Sequence, residues 1–278
     1  MKPIKIIALD LDGTLLDGQK NIPERNMEML TRCCEAGIHI VPTTGRAAAG
    51  VPERIRQLPG VRYVITTNGG AIIDLKTEEI LERRTIPNKQ ALRILRTVHS
   101  FDVMYDPYID GRGVSEAYFF AHMDDYGLSK PMQEMVRSTR DVVPDILEYV
   151  EQTGKDVEKI NVFLRDVSQR EPIRAEIEKE ENLAITSSFL SNLEINAEDA
   201  TKGNALMWLA DYLGIDRQAT MAFGDGENDI SMIRMAGVGV AMANALDTVK
   251  PWADEITLTN DEAGVAAAIE RLVFNACM

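Results

Sequence analysis

The chain has 278 residues, a length that suggests about two domains. With 45% hydrophobic and 27% charged residues it is an ordinary globular composition, which excludes disordered, collagen-like and low-complexity chains. Thirty Lys and Arg against 44 Asp and Glu leave a net charge of −14. That excludes any global attraction to nucleic acid or anionic membrane, so an anionic substrate would have to be met by a local positive charge.

Met1–Leu9 begins basic and turns apolar. Asp10 and Asp12 interrupt the run and no small-residue cleavage site comes after it, so Ile4–Leu9 reads as a buried strand and not as an export signal. Pro23 opens a helix carrying Met27, Leu30 and Cys34 at helical spacing, and Gly37 ends it. Ile38–Val41 is a second strand, Ala47–Gln57 a helix, and Val61–Thr66 a third strand. Strand–helix–strand alternation with short connections predicts a doubly wound, parallel α/β sheet.

From about Arg84 to Leu190 the pattern changes. Helical stretches (Asn88–Ser100, Glu171–Glu180) mix with strands (Val157–Leu164, Leu183–Ser187). Tyr105–Gly113, rich in Pro, Gly and Asp, reads as loops. The first style then returns, with a helix over Ala205–Leu213 ended by Gly214. Strands come next at Thr220–Phe223 and Val238–Ala241, and a closing helix at Glu262–Val273. The expected organisation is a core of residues 1–84 and 191–278 with an α+β domain, 85–190, inserted into it. No stretch approaches the ~18 apolar residues of a membrane helix. Cys33, Cys34 and Cys277 read as reduced thiols of a cytoplasmic protein, and His39, His99 and His122 lack zinc-type spacing.

Ligands of open parallel sheets bind at the carboxyl ends of the strands, so the residues just past each strand matter most. The first strand delivers Asp10-Leu11-Asp12-Gly13-Thr14 and the second Thr43-Thr44-Gly45-Arg46. The third delivers Thr67-Asn68-Gly69-Gly70, and the strand at Thr220 delivers Gly224-Asp225-Gly226-Glu227-Asn228-Asp229. Taken singly, each has a bland reading. Asp225 and Asp229 suit a turn and a helix N-cap, Asn68-Gly69 a hairpin turn, and Lys202 a solvated surface position. Taken together, each at the end of a strand, they form a pattern that turns alone do not explain. Asp10, Asp12 and Asp225 at one sheet edge would repel one another, and a hard divalent cation such as Mg²⁺ would relieve that repulsion. Lys202, beside Gly203 at a helix start, adds a second positive charge.

Asp10-Leu11-Asp12-Gly13-Thr14-Leu15 resembles the first motif of the haloacid dehalogenase superfamily of phosphohydrolases. Thr44, Lys202 and Gly224–Asp229 are similar to its second, third and fourth motifs, in order. Thr44-Gly45-Arg46, Asn68-Gly69, Lys202-Gly203 and Gly239–Ala245 resemble the Cof-type branch, which has a Rossmann-like core and a class IIB α/β cap inserted between the second and third motifs. Thr43 stands where many members have Ala.

The resemblance implies a Mg²⁺-dependent phosphatase acting on a small phosphorylated metabolite, such as a sugar phosphate. Asp10 would form an aspartyl-phosphate, and Asp12 would protonate the leaving oxygen and then activate water. Asp10, the Asp12 carbonyl and Asp225 would bind the metal, with Asp229 orienting the site. Thr44, Gly45, Lys202, the Leu11 N–H and the Asn228 amide would hold phosphate oxygens. Arg46 could reach a substrate oxyanion or pair with a nearby carboxylate. Two other readings fit the same motifs: a phosphomutase or phosphotransferase of this superfamily, and a non-catalytic phosphometabolite-binding protein. Neither nucleic acid nor membrane is expected as a partner, and the sequence is silent on oligomeric state.

Overall fold

A computed structural model describes residues 2–47, 50–58 and 61–275. Its strands, in chain order, are β1 (Ile6–Leu9), β2 (His39–Pro42), β3 (Tyr63–Thr66), β4 (Ala71–Asp74), β5 (Glu79–Arg83), β6 (Val103–Ile109) and β7 (Arg112–Glu116). Next come β8 (Arg140–Val143), β9 (Lys159–Leu164), β10 (Leu183–Thr186), β11 (Asn192–Ala197), β12 (Thr220–Gly224), β13 (Val238–Ala241) and β14 (Glu255–Ile256). The chain divides into two compact units. One comprises Met1–Arg46, Val51–Glu82 and Thr201–Met278, and the other Ala47–Gly50 and Arg83–Ala200.

The first unit is built on a parallel sheet of order β14-β13-β12-β1-β2. β1 is buried along its whole length, which is why its sequence is continuously apolar instead of alternating. From β1 the chain crosses to β2 on one side, whereas β12 lies on the other. That reversal makes the β1 carboxyl end the switch point, where a crevice opens. The crossover helix Glu24–Glu35 buries Asn26, Met29, Leu30 and Cys33 on one face. Burial pushes the Cys33 thiol up to about 12, which leaves it unreactive. Cys277 lies outside the described residues. In the helix Lys202–Tyr212, Trp208 stacks flat on Tyr212 at 5.2 Å, and Arg234 lies over the ring of Trp252 at 4.3 Å.

Three expectations for this unit change. β3 is not a full member of the parallel sheet. It touches β2 by one parallel bridge, Thr43–Ile65, and pairs along its length antiparallel with β4, in the three-stranded sheet β3-β4-β5. The turn at Asn68-Gly69 joins that hairpin. The helix expected over Ala47–Gln57 is one turn, Glu53–Arg56, because Pro52 biases Val51 away from helix; Ala48 and Ala49 lie outside the described residues. The closing helix starts at Gly264, after Ala263 in a left-handed conformation, and ends in a π-turn over Glu270–Phe274.

The second unit carries a six-stranded sheet, β10-β11-β9-β6-β7-β8, antiparallel except for β7–β8. The stretch Tyr105–Gly113, expected as loops, is mostly strand: β6 runs to Ile109, and only Asp110-Gly111 turns. Its polar residues are buried partners, not turn formers. Asp106 faces Asn161 across the β6–β9 ladder and accepts from Arg140 Nε at 2.5 Å. Lys159 pairs with Glu194 at 3.0 Å, and Arg140 and Lys159 both lie over the Tyr108 ring. The second junction falls after Ala200 and not at 190, because β11 is an interior strand of this sheet. Among the described residues no helix is long and apolar enough to cross a membrane.

Asp106 and Arg140 are both almost wholly buried. Asp106→Ala would leave the buried guanidinium without its counter-charge, with only neutral hydrogen-bond partners such as the Thr139 hydroxyl, and chemical denaturation should show a loss of about 3–5 kcal/mol.

Candidate active site

Asp10 comes directly after β1, and its N–H bonds to the Phe223 carbonyl at 3.1 Å, beside the β12 end. From Asp10 the backbone winds into a single turn: Leu15 and Leu16 donate to the carbonyls of Asp10 and Leu11. Gly13 sits in this turn at φ +84°, and a Cβ there would overlap the Asp225 carboxylate. Only glycine meets both conditions. Thr14 completes the turn, its hydroxyl donating to Asp225 Oδ1 at 2.7 Å.

The two aspartates of the first strand end take different partners. The Asp10 carboxylate, 7% exposed, accepts from Lys202 Nζ at 2.6 Å. The Asp12 carboxylate is held by Arg46, whose Nε and Nη2 donate to its two oxygens at 2.7 and 2.5 Å, and by Lys20 Nζ at 2.6 Å. For Arg46 the structure shows the carboxylate pairing. Nothing in the local sequence marks Lys20 for this role; its φ of +66° and the Asp17 turn around it are visible only in three dimensions.

Lys202 is not a surface lysine. It is 0% exposed, opens the helix Lys202–Tyr212, and donates to both Asp10 and Asp229, the latter at 2.5 Å. Thr201 caps that helix through Asn204 N. An ammonium at a helix N-terminus opposes the helix dipole, so this placement serves the carboxylates and not the helix. Asp229 uses its other oxygen to accept the N–H groups of Asp225 and Gly226, at 2.9 Å each. Its turn-capping role and its role at the site are thus one arrangement.

Carboxylate oxygens of Asp10, Asp225 and Asp229 lie within 4.8 Å of one another. Burial, then the repulsion of Asp229 and Asp225, lift the Asp10 carboxyl well above the usual range against the pull of Lys202. Burial and Asp229 push Asp225 up to about 7. Asp12 differs: burial alone would raise it, but Arg46 and Lys20 outweigh burial and hold it below the usual range. Burial disfavours the Lys202 ammonium, yet Asp10 and Asp229 raise its affinity for the proton. One ammonium therefore serves three carboxylates, and the cluster is short of positive charge. A divalent cation fits that deficit, and Asp10, Asp225 and Asp229 each offer a carboxylate oxygen that could hold it. The Asp12 carboxylate stands outside this cluster.

The remaining residues form a cradle around the same strand ends. Thr44, buried after β2, accepts from Arg46 N at 3.1 Å, which leaves its own hydroxyl proton to donate. Gly45 lies within that turn. Asn228, 7% exposed, donates from Nδ2 to Asn68 Oδ1 at 3.1 Å. No described residue accepts from the Leu11 N–H. All these groups are donors or cations, the chemistry that holds a phosphoryl group. Replacing Lys202 by Met should lower kcat/KM about 10²–10³-fold in steady-state assays, the usual cost of a charge-stabilising donor.

Comparison with known proteins gives the same picture. A family profile described as haloacid dehalogenase-like hydrolase matches residues 7–269. The 5-amino-6-(5-phospho-D-ribitylamino)uracil phosphatase YwtE of Bacillus subtilis is 33% identical, covering 97% of this chain and 98% of its own length. The pyridoxal phosphate phosphatase YbhA of Escherichia coli is 29% identical over 95% of this chain and 97% of its own. A solved haloacid dehalogenase-like hydrolase from B. subtilis superposes with a TM-score of 0.85 at 31% identity, covering 97% of this chain and 100% of that one. The chain belongs to the haloacid dehalogenase-like hydrolase family, as a phosphoric monoester hydrolase of its Cof-type branch.

Proposed function

We propose that this phosphatase is Mg²⁺-dependent, that it hydrolyses a small phosphorylated metabolite, and that it works through an aspartyl-phosphate on Asp10. The observation that carries this reading is the buried array in which one lysine joins Asp10 to Asp229 beside Asp225. Burying that much negative charge is costly unless a further cation offsets it, and a cation held there would in turn attract a phosphoryl group. Two relatives, one acting on a ribitylaminouracil phosphate and one on pyridoxal phosphate, support a small phosphorylated metabolite.

In this scheme the Asp10 carboxylate attacks phosphorus, and the leaving oxygen departs with the proton of Asp12. Thr44, the Gly45 backbone, the Leu11 N–H, Asn228 and Lys202 hold the phosphoryl oxygens. They stabilise the charge that spreads onto those oxygens in the transition state. Asp12 then takes a proton from water, which attacks the acyl-phosphate and frees Asp10. The ionised Asp12 favoured by Arg46 and Lys20 is the form this second step uses. Its acid role in the first step requires one of those two cations to give way. A bound Mg²⁺ would neutralise the repulsion between the Asp10 carboxylate and the incoming phosphate.

Purified protein should release phosphate steadily from p-nitrophenyl phosphate, lose that activity in chelator and regain it with Mg²⁺. Asp10→Asn should abolish turnover. Full turnover by that variant, or by the metal-free protein, would overturn the mechanism.

A further inference from the structure

Three consecutive residues between β3 and β4 have left-handed backbone: Thr67 at φ +49°, Asn68 at +59° and Gly69 at +102°. All three are buried. A β-branched residue at positive φ is a rare conformation, and two non-glycine residues in succession are rarer still. A type I′ hairpin turn places two successive residues at positive φ, and Asn68-Gly69 suits that, but no turn calls for the β-branched Thr67 there as well, so the contacts this segment makes help to explain its shape.

Each residue of the segment grips a different part of the phosphate cradle. Thr67 N donates to the Arg46 carbonyl at 3.0 Å, and Asn68 N to the Thr44 carbonyl at 3.1 Å. The Thr44–Arg46 turn is thus bonded along its backbone as well as internally through Thr44 Oγ1. The Asn68 side chain accepts from Asn228 Nδ2. Gly69 abuts the Thr201 carbonyl so closely that a Cβ would overlap it, and Thr201 immediately precedes Lys202. The segment therefore ties together the loops after β2 and β12 and the start of the helix that carries Lys202.

We propose that Thr67–Asn68–Gly69 is the positioning element of the phosphate cradle, with Asn68 fixing the orientation of the Asn228 amide. The proposal rests on the phosphatase reading above, in which Asn228 holds a phosphoryl oxygen. An amide side chain has two N–H donors. Directing one of them to Asn68 Oδ1 fixes the plane and the direction of the other. Asn68 itself touches no reacting atom; it acts through Asn228 and through the Thr44 backbone.

Asn68→Gly separates this role from a structural one, because glycine adopts φ +59° without strain while the side-chain acceptor disappears. The melting temperature should stay within about 4 °C of the parent protein. With p-nitrophenyl phosphate, kcat/KM should fall about tenfold, and inhibition by inorganic phosphate should weaken in parallel. Asn228→Ala should cost about as much, and the double variant should be no worse than the poorer single one, since both changes remove one coupled unit. Unchanged kcat/KM in Asn68→Gly, additive losses in the double variant, or a melting temperature lowered by more than about 8 °C would each overturn the proposal. Failure of the parent protein to release phosphate would instead overturn the reading on which it rests.

Discussion

The core of this enzyme is organised around a shortage of positive charge. The carboxyl ends of two adjacent buried strands bring Asp10, Asp225 and Asp229 together, and a single fully buried ammonium, Lys202, stands among them. Water is largely excluded, so screening is weak and the repulsion is felt at full strength. The consequences spread outward. Lys202 has to sit at an unfavourable end of its helix. Asp229 has to be tied down by two backbone amides. Asp10 and Asp225 have to hold their protons more tightly than ordinary carboxylates. A site strained in this way favours any species that brings positive charge, and then any anion that such a species attracts. The acidic surface does not prevent an anionic substrate from binding, because the field that matters is local.

Asp12 lies two residues from Asp10 in an opposite environment. Two cations surround it and keep its carboxyl acidic. Neighbouring aspartates in one motif are thus driven in opposite directions by their partners, one holding its proton more tightly than an ordinary carboxylate and the other less tightly. Gly13 is the mechanical condition for both. It allows the turn that sends the two carboxylates to different partners, and its missing Cβ is where Asp225 fits.

Much of the parallel core is legible in the chain, because β1, β12 and β13 are short runs buried along their whole length and the crossover helix Glu24–Glu35 carries a clear apolar stripe. The placement of the candidate residues is equally legible, since Asp10, Thr44, Lys202, Asp225, Asn228 and Asp229 each come after a strand or open a helix. The features that escape a reading of the chain share one physical cause: pairing between residues far apart in sequence. Tyr105–Gly113 has a loop-like composition, yet Asp106 is neutralised by Arg140, which lies 34 residues further on. Lys20 looks like any surface lysine until the Asp17 turn brings it to Asp12. Asn68-Gly69 is legible as a hairpin turn, but its reach to Asn228, 160 residues away, has no local signature. The inserted unit ends later than its composition suggests, although Asn192–Ala197 alternates polar and apolar residues as an antiparallel strand does, unlike the continuously apolar β1.

The two tryptophans give the molecule an optical asymmetry. Trp208, stacked on Tyr212, and Trp252, beneath Arg234, both belong to the first unit, and the stretch Arg83–Ala200 contains none. Each unit has its own apolar core. Indole emission therefore reports on the first unit alone, whereas backbone dichroism records both. If the cores melt at different temperatures the two signals will part, and a single midpoint from either one will not describe the whole chain.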